Sequence, residues 1–202
     1  VSALIAGFLT GLSLIVAIGA QNAYVLRMGL SKHHVPVVVG ICTVSDITLI
    51  LLGIGGIGGI VKSAPSSLQI LRWVGVVYLS YFAIRSFLKA MKPGSLSPSD
   101  ADKPSLRVAV ATTLAFTFLN PHVYIDTVLL IGSLGNQYGH SRWIFATGAG
   151  ISSVLWFSSL GFGARYASSF MAKPITWRIL DSAIGVVMVL IALKLAITPI
   201  TN

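Results

Sequence analysis

Leu119-Asn120-Pro121-His122-Val123-Tyr124-Ile125-Asp126 places a helix-breaking proline and a carboxylate inside a segment otherwise apolar enough to cross a membrane. Pro121 has no backbone N–H and clashes with the preceding turn, so carbonyls near Phe118 lose their helical partners. In hydrocarbon such groups cost several kcal/mol apiece unless they are buried in protein or face water. Asp126 adds a charge that costs roughly 2.5–3.5 kcal/mol at the bilayer centre, so a cavity or a partner is expected beside it. A span needs neither feature to hold its shape, and together they read as a site that handles a solute.

The rest of the chain defines the class. Of 202 residues, 55% are hydrophobic and only 9% charged, and the mean hydropathy is +0.88. That composition excludes an ordinary soluble domain and predicts an all-α integral membrane protein. The apolar runs are continuous rather than alternating, which disfavours a β-barrel. At about 20 residues per crossing, the chain holds about six transmembrane helices, expected near 3–26, 35–61, 67–90, 106–133, 142–168 and 176–198. The first lacks a basic flank and runs longer than a typical signal-peptide core, so it is read as a retained span.

All five acids are Asp, and 14 Lys and Arg residues give a net charge of +9. In a soluble chain this would suggest nucleic acid; here membrane topology accounts for it, and no nucleic-acid partner is expected. Arg27, Lys32, Arg85, Lys89, Lys92, Lys103, Arg107, Arg165, Lys173 and Arg178 fall on one side, against Lys62, Arg72, Arg142 and Lys194 on the other. The positive-inside rule makes the first side cytoplasmic and puts both termini outside. Residues 93–105, rich in Pro, Ser and Asp, form the expected cytoplasmic loop. It joins halves 1–92 and 106–202 of a single transmembrane domain over 1–202.

The halves echo one another. Gly75-Val-Val-Tyr-Leu-Ser-Tyr-Phe-Ala-Ile-Arg85 resembles Gly185-Val-Val-Met-Val-Leu-Ile-Ala-Leu-Lys194, and Gln21-Asn22 parallels Asn120-Pro121. Three spans per copy invert the second, which predicts a 3+3 inverted repeat with helices 1 and 4 broken near mid-membrane. Gly7-x-x-x-Gly11 and Gly55-Gly56-Ile57-Gly58-Gly59 let helices approach closely. Internal packing is the simpler use, a homodimer face the alternative, and Gly55–Gly59 also suits a hinge.

Among polar residues within spans, Asp46 has no Lys or Arg within two helical turns. Such acids mark ion or substrate paths, the bland alternative being a protonated Asp bonded to a neighbouring helix. Asp126 reads the same way. Asp181, one turn from Arg178, reads as half of an interfacial ion pair. Gln21 and Asn22 either line a cavity or bond another helix. Asn120 can satisfy carbonyls freed by Pro121, and the same exposed backbone can hold a carboxylate. The Tyr124 hydroxyl needs a partner at that depth. His122 either titrates or, more simply, bonds the broken backbone as a neutral ring. Arg72-Trp73 reads as a snorkelling cation beside an interfacial aromatic. Cys42 reads as a small packing residue. His33, His34 and His140 show no metal-site spacing, and no Walker loop, Ser/His/Asp set or CxxC motif appears. No catalytic residue, metal or cofactor is therefore expected.

These residues resemble the LysE family of amino-acid exporters. The resemblance runs through Gly19-Ala20-Gln21-Asn22, Ser45-Asp46, Arg72-Trp73-Val74-Gly75-Val76-Val77-Tyr78-Leu79 and Asn120-Pro121-His122-Val123-Tyr124-Ile125-Asp126. It continues in Gly132, Gln137-Tyr138-Gly139, Arg142-Trp143-Ile144-Phe145-Ala146 and Gly161-Phe162-Gly163-Ala164, so it covers nearly the whole chain. Asn-Pro-x-x-Tyr-x-Asp resembles the lysine and arginine exporter branch. Ala20 stands where a lysine exporter of that branch has proline before Gln-Asn, so a less sharp break is expected in helix 1, and His122 occupies a variable position. The resemblance implies a secondary exporter of lysine, arginine or both across a bacterial inner membrane, driven by the proton-motive force. Gln21, Asn22, Asp46, Asn120, Pro121, Tyr124 and Asp126 are then the substrate-site candidates. Asp126 would pair with the substrate cation and Asp46 carry the coupling proton, or the reverse. Rival readings are a neutral amino-acid exporter, a divalent-cation exporter using Asp46 and Asp126 as oxygen ligands, and a membrane enzyme.

Overall fold

A computed structural model describes residues 1–16, 19–57, 65–91, 104–164, 166 and 174–197. Outside the described residues lie Gly58 and Gly59 of the expected hinge, 93–103 of the expected loop, and the basic residues Lys62, Lys92, Lys103, Arg165 and Lys173. Every described element is helical, and no strand occurs among the described residues. In chain order they are α1 (Ser2–Ile15), α2 (Ala20–Leu30), α3 (Val35–Leu52), α4 (Pro65–Met91), α5 (Leu106–Phe118), α6 (Pro121–Asn136), α7 (Arg142–Gly163) and α8 (Pro174–Ile197).

Two of the expected spans are broken, but the first is not the gentler bend that Ala20 in place of proline suggests. α1 and α2 meet at 83°, and α5 and α6 at 58°. Three helical stretches among the described residues are long and apolar enough to cross a membrane alone, and five when each bent pair counts as one span. The 27-residue α4 is long enough but carries Gln69, Arg72, Arg85 and Lys89, which dilute its apolar run. Proline opens α4, α6 and α8, where its missing N–H has no intrahelical partner to lose.

Glycine decides where backbones touch. A Cβ on Gly7 would overlap the Phe145 carbonyl, and one on Gly148 would overlap that of Leu4, so α1 and α7 lie backbone to backbone. The Gly7-x-x-x-Gly11 face is thus used inside the chain. Beyond α3 the helix widens into a π-turn over Gly53–Ile57, with Gly56 at φ +100°, a conformation that favours glycine. α6 widens likewise over Tyr124–Ile131. The two wide segments are in contact: a Cβ on Gly53 would overlap the Val128 carbonyl, and one on Gly132 the Gly53 backbone.

α4 and α8 pair along their length and lock each other's ends. Arg72 of α4 donates from Nε to Leu195 O and from Nη2 to Ala196 O, both at 2.5 Å. Arg178 of α8 donates from Nε to Ala90 O at 3.0 Å. Each arginine supplies donors to the last carbonyls of the other helix, which lack intrahelical partners and carry the negative end of the dipole. The number of residues from Arg72 to Arg178 equals that from Ala90 to Ala196, so exchanging the halves exchanges the two locks. That register differs by one helical turn from the Gly75–Gly185 match. The same exchange sends the α1–α7 contact to contacts of α5 and α6 with α3, and both occur.

Contacts also sort the helix ends into two layers. At one end Arg27 of α2 meets Asp181 of α8, Arg178 meets the end of α4, and His33 bonds Pro104 O before α5. The opposite end gathers the start of α1, the start of α7 and the Gly53–Ile57 turn. Outward-facing apolar side chains such as Val44, Val77 and Leu190 are 59–68% exposed, as lipid contact requires. Inside, Tyr24, Tyr78, Phe82 and Phe116 of α2, α4 and α5 interlock with ring centroids 4.7 to 6.1 Å apart.

Candidate functional site

The second break resolves group by group. Asn120 caps α6, its Oδ1 accepting from His122 N at 3.1 Å, while Asn120 O accepts from Val123 N at 3.1 Å. The Tyr124 hydroxyl reaches back and donates to Phe118 O at 3.0 Å, replacing a helical donor that the kink removes. Gly75 of α4 abuts the Leu119 carbonyl so closely that a Cβ would overlap it. Pro121 is buried. Thus Asn120 and Tyr124 spend polar groups on the break itself.

The first break is closed from a different helix. Asn22 Nδ2 reaches across it to Ile15 O at 2.7 Å, and the Trp156 indole of α7 donates to Asn22 Oδ1 at 3.3 Å. One turn earlier on α7, buried Ser153 donates to Asp46 Oδ2 and also to Ala149 O at 3.3 Å. Gln21 lies in hydrogen-bonding reach of the Cys42 thiol, one turn from Asp46 on α3. Gln21, Asn22 and Asp46 are therefore gathered in one region, with α7 bonding Asn22 and Asp46 and α3 meeting Gln21. Cys42 is fully buried, and the structure adds to its packing role this place beside Gln21.

Asp126 stands elsewhere. The Val128 and Thr127 carbonyls lie against Gly53, which is two turns, about 10 Å, beyond Asp46 along α3. Asp126 is half-buried and makes no hydrogen bond or ion pair among the described residues; the ionisable side chains within its electrostatic reach are His122 and Lys194. The buried His122 Nε2 is likewise without a hydrogen-bond partner among the described residues. By their contacts the seven candidates fall into two groups, Gln21, Asn22 and Asp46 in one, Asn120, Pro121, Tyr124 and Asp126 in the other.

Two sequence expectations are corrected. Arg72 does not snorkel: it is 6% exposed, with its guanidinium turned to the end of α8. Those terminal carbonyls need donors, and Trp73 merely stacks beside it at 5.4 Å. Asp181 takes its ion-pair partner from another span, Arg27 at 2.9 Å, while Arg178 serves the end of α4. Ser153, Trp156 and Lys194 were missed. The Ser152-Ser153 pair inside an apolar helix is a usable signal; Trp156 resembles any interfacial tryptophan, and Lys194 any terminal cation.

Among the described residues no group of three His, Cys or carboxylate side chains gathers at metal-binding spacing. Several helices long and apolar enough to cross a membrane, two of them bent pairs, make this a multi-pass membrane protein. The LysE type translocator family matches residues 12–198, and the chain belongs to that family. A Mycobacterium tuberculosis protein provisionally named an amino-acid transporter is 41% identical, the match covering 93% of each chain. The lysine exporters LysE of Corynebacterium diphtheriae and Corynebacterium glutamicum are 37% and 33% identical, each match covering 95% of this chain and 97% of theirs. No solved structure matches the chain.

Proposed function

We propose that this protein exports amino acids, specifically the basic L-amino acids lysine, arginine or both, across a bacterial inner membrane in exchange for protons. The observation that carries the reading is Asp126: a half-buried carboxylate, without a hydrogen bond or ion pair among the described residues, beside a broken span whose residues Phe118, Leu119 and Asn120 are half-buried. A basic amino acid brings the cation such a group lacks, and its carboxylate suits the positive end of the α6 backbone. Asp46, bonded to a neutral hydroxyl rather than a cation, suits proton carriage. Gln21, Asn22, Asn120 and Tyr124 shape the two breaks between these acids. The basic end of the bundle faces the cytoplasm, with both termini outside and the two halves forming an inverted repeat.

Exporting one net positive charge against an interior-negative potential costs about 2.3 kcal/mol per 100 mV. One-for-one exchange with a proton cancels that cost and leaves the chemical gradients as the drive.

Lys194 favours a second reading, since an internal cation near Asp126 would let a neutral amino acid bind instead. Counterflow in sealed proteoliposomes separates the two. Accumulation of labelled L-lysine or L-arginine but not L-leucine supports the basic-substrate reading; accumulation of leucine alone replaces it with the neutral one.

A further inference from the structure

The Arg27–Asp181 ion pair lies away from both breaks and joins two parts of the chain that the transport site does not explain. Arg27 occupies the last turn of α2, the inner arm of the first broken span; Asp181 lies about two turns into α8, which is locked to α4. The side chains are 17% and 9% exposed, at 2.9 Å. The pair sits at the end where Arg178 holds Ala90 O and His33 holds Pro104 O, the end that the basic residues assign to the cytoplasm.

We infer that Asp181 is the first docking point for the substrate cation on the cytoplasmic side, with Arg27 as a tethered stand-in that the substrate displaces. The inference rests on the basic-substrate reading. A buried ion pair adds little stability over an apolar pair but is costly to break one-sidedly, because the remaining charge stays desolvated without that partner. Thermal opening is therefore rare unless another cation takes the vacated place. The side chain of arginine is the same guanidinium as that of Arg27, and lysine carries an equal charge, so either substitutes like for like. A neutral amino acid offers only its α-ammonium, held beside its own carboxylate. Displacement also unties α2 from the α4–α8 pair and frees the inner arm of the broken span to move. Three carboxylates then stand at three depths along the bundle: Asp181 at the cytoplasmic end, Asp46 midway and Asp126 beyond it.

The test is the KM for L-arginine measured separately at each face, in everted and right-side-out vesicles. Asp181→Asn should raise the cytoplasmic-face KM about tenfold, whereas Arg27→Gln, which removes the competing cation, should lower it about threefold. The opposite face should keep its KM in both. The double variant R27Q/D181N, which removes both charges of the pair together, should match Asp181→Asn. Shifts in the same direction for both single variants, equal shifts at both faces, or an unchanged KM with less folded protein would reduce the pair to a structural contact. A wild type that carries leucine but neither basic amino acid withdraws the substrate reading and this site together; one that carries arginine while its variants keep the wild-type KM overturns the site alone.

Discussion

The two broken spans solve the same backbone problem differently. Between α1 and α2 the free carbonyl of Ile15 is met by Asn22, and Asn22 is held by Trp156 of a different helix. Between α5 and α6 the repair is local, with Asn120 and Tyr124 bonding backbone within a few residues of themselves. The acids differ in parallel: Asp46 is engaged by Ser153 of α7, whereas Asp126 is without a hydrogen bond or ion pair among the described residues. A break held by a neighbour is tied to that neighbour's movement. A break that holds itself leaves its surroundings open to a ligand. On the proposed function, the first is suited to coupling and the second to binding.

Substitutions can break or sharpen this contrast. The largest effect is expected from Pro121→Ala, which lets the helix continue through the second break and returns its freed carbonyls to intrahelical bonds. Counterflow should fall more than tenfold while the protein remains folded and its Tm is unchanged or higher; undiminished counterflow would remove the break from the site. Asn22→Ala comes next. It orphans both Ile15 O and the Trp156 N–H, at about 1–3 kcal/mol each, so thermal stability and transport should fall together. Trp156→Phe removes one of those bonds and should cost about 1 kcal/mol, visible as a lower Tm with transport reduced severalfold at most. Tyr124→Phe should be the mildest in transport. It loses the bond to Phe118 O and about 1 kcal/mol of stability, but the KM for L-lysine should stay within about twofold, because the hydroxyl serves the break. A large KM increase would return Tyr124 to the substrate's own contacts.

Much of this was legible in the sequence because it depends on local chemistry. Apolar runs of spanning length fix where helices lie, Pro121 marks one break outright, and an acid inside such a run needs a stated reason to be there. The position of the first break was legible only through its likeness to the second, since Ala20 stops nothing. What the sequence concealed are contacts between distant residues. Nothing near Asp181 points to Arg27 over the closer Arg178, and Arg72 beside Trp73 looks like an interfacial anchor until the end of α8 is seen against it. The reciprocal arginines stand one helical turn out of register with the Gly75–Gly185 match, a spacing that residue likeness alone does not single out. Ser153 was visible as a hydroxyl in an apolar helix, but its pairing with Asp46 follows from the crossing of α3 and α7. Glycines such as Gly7 and Gly148 permit α1 to press against α7, and composition alone left open whether they served this chain or a second copy.

The division between the two acids is tested most directly by Asp126→Asn and Asp46→Asn side by side in proteoliposomes, reading both L-lysine counterflow and uphill transport driven by a pH gradient. The account predicts that Asp126→Asn loses both, whereas Asp46→Asn keeps counterflow and loses its response to the gradient. Counterflow surviving in Asp126→Asn, or full gradient-driven transport in Asp46→Asn, would contradict it.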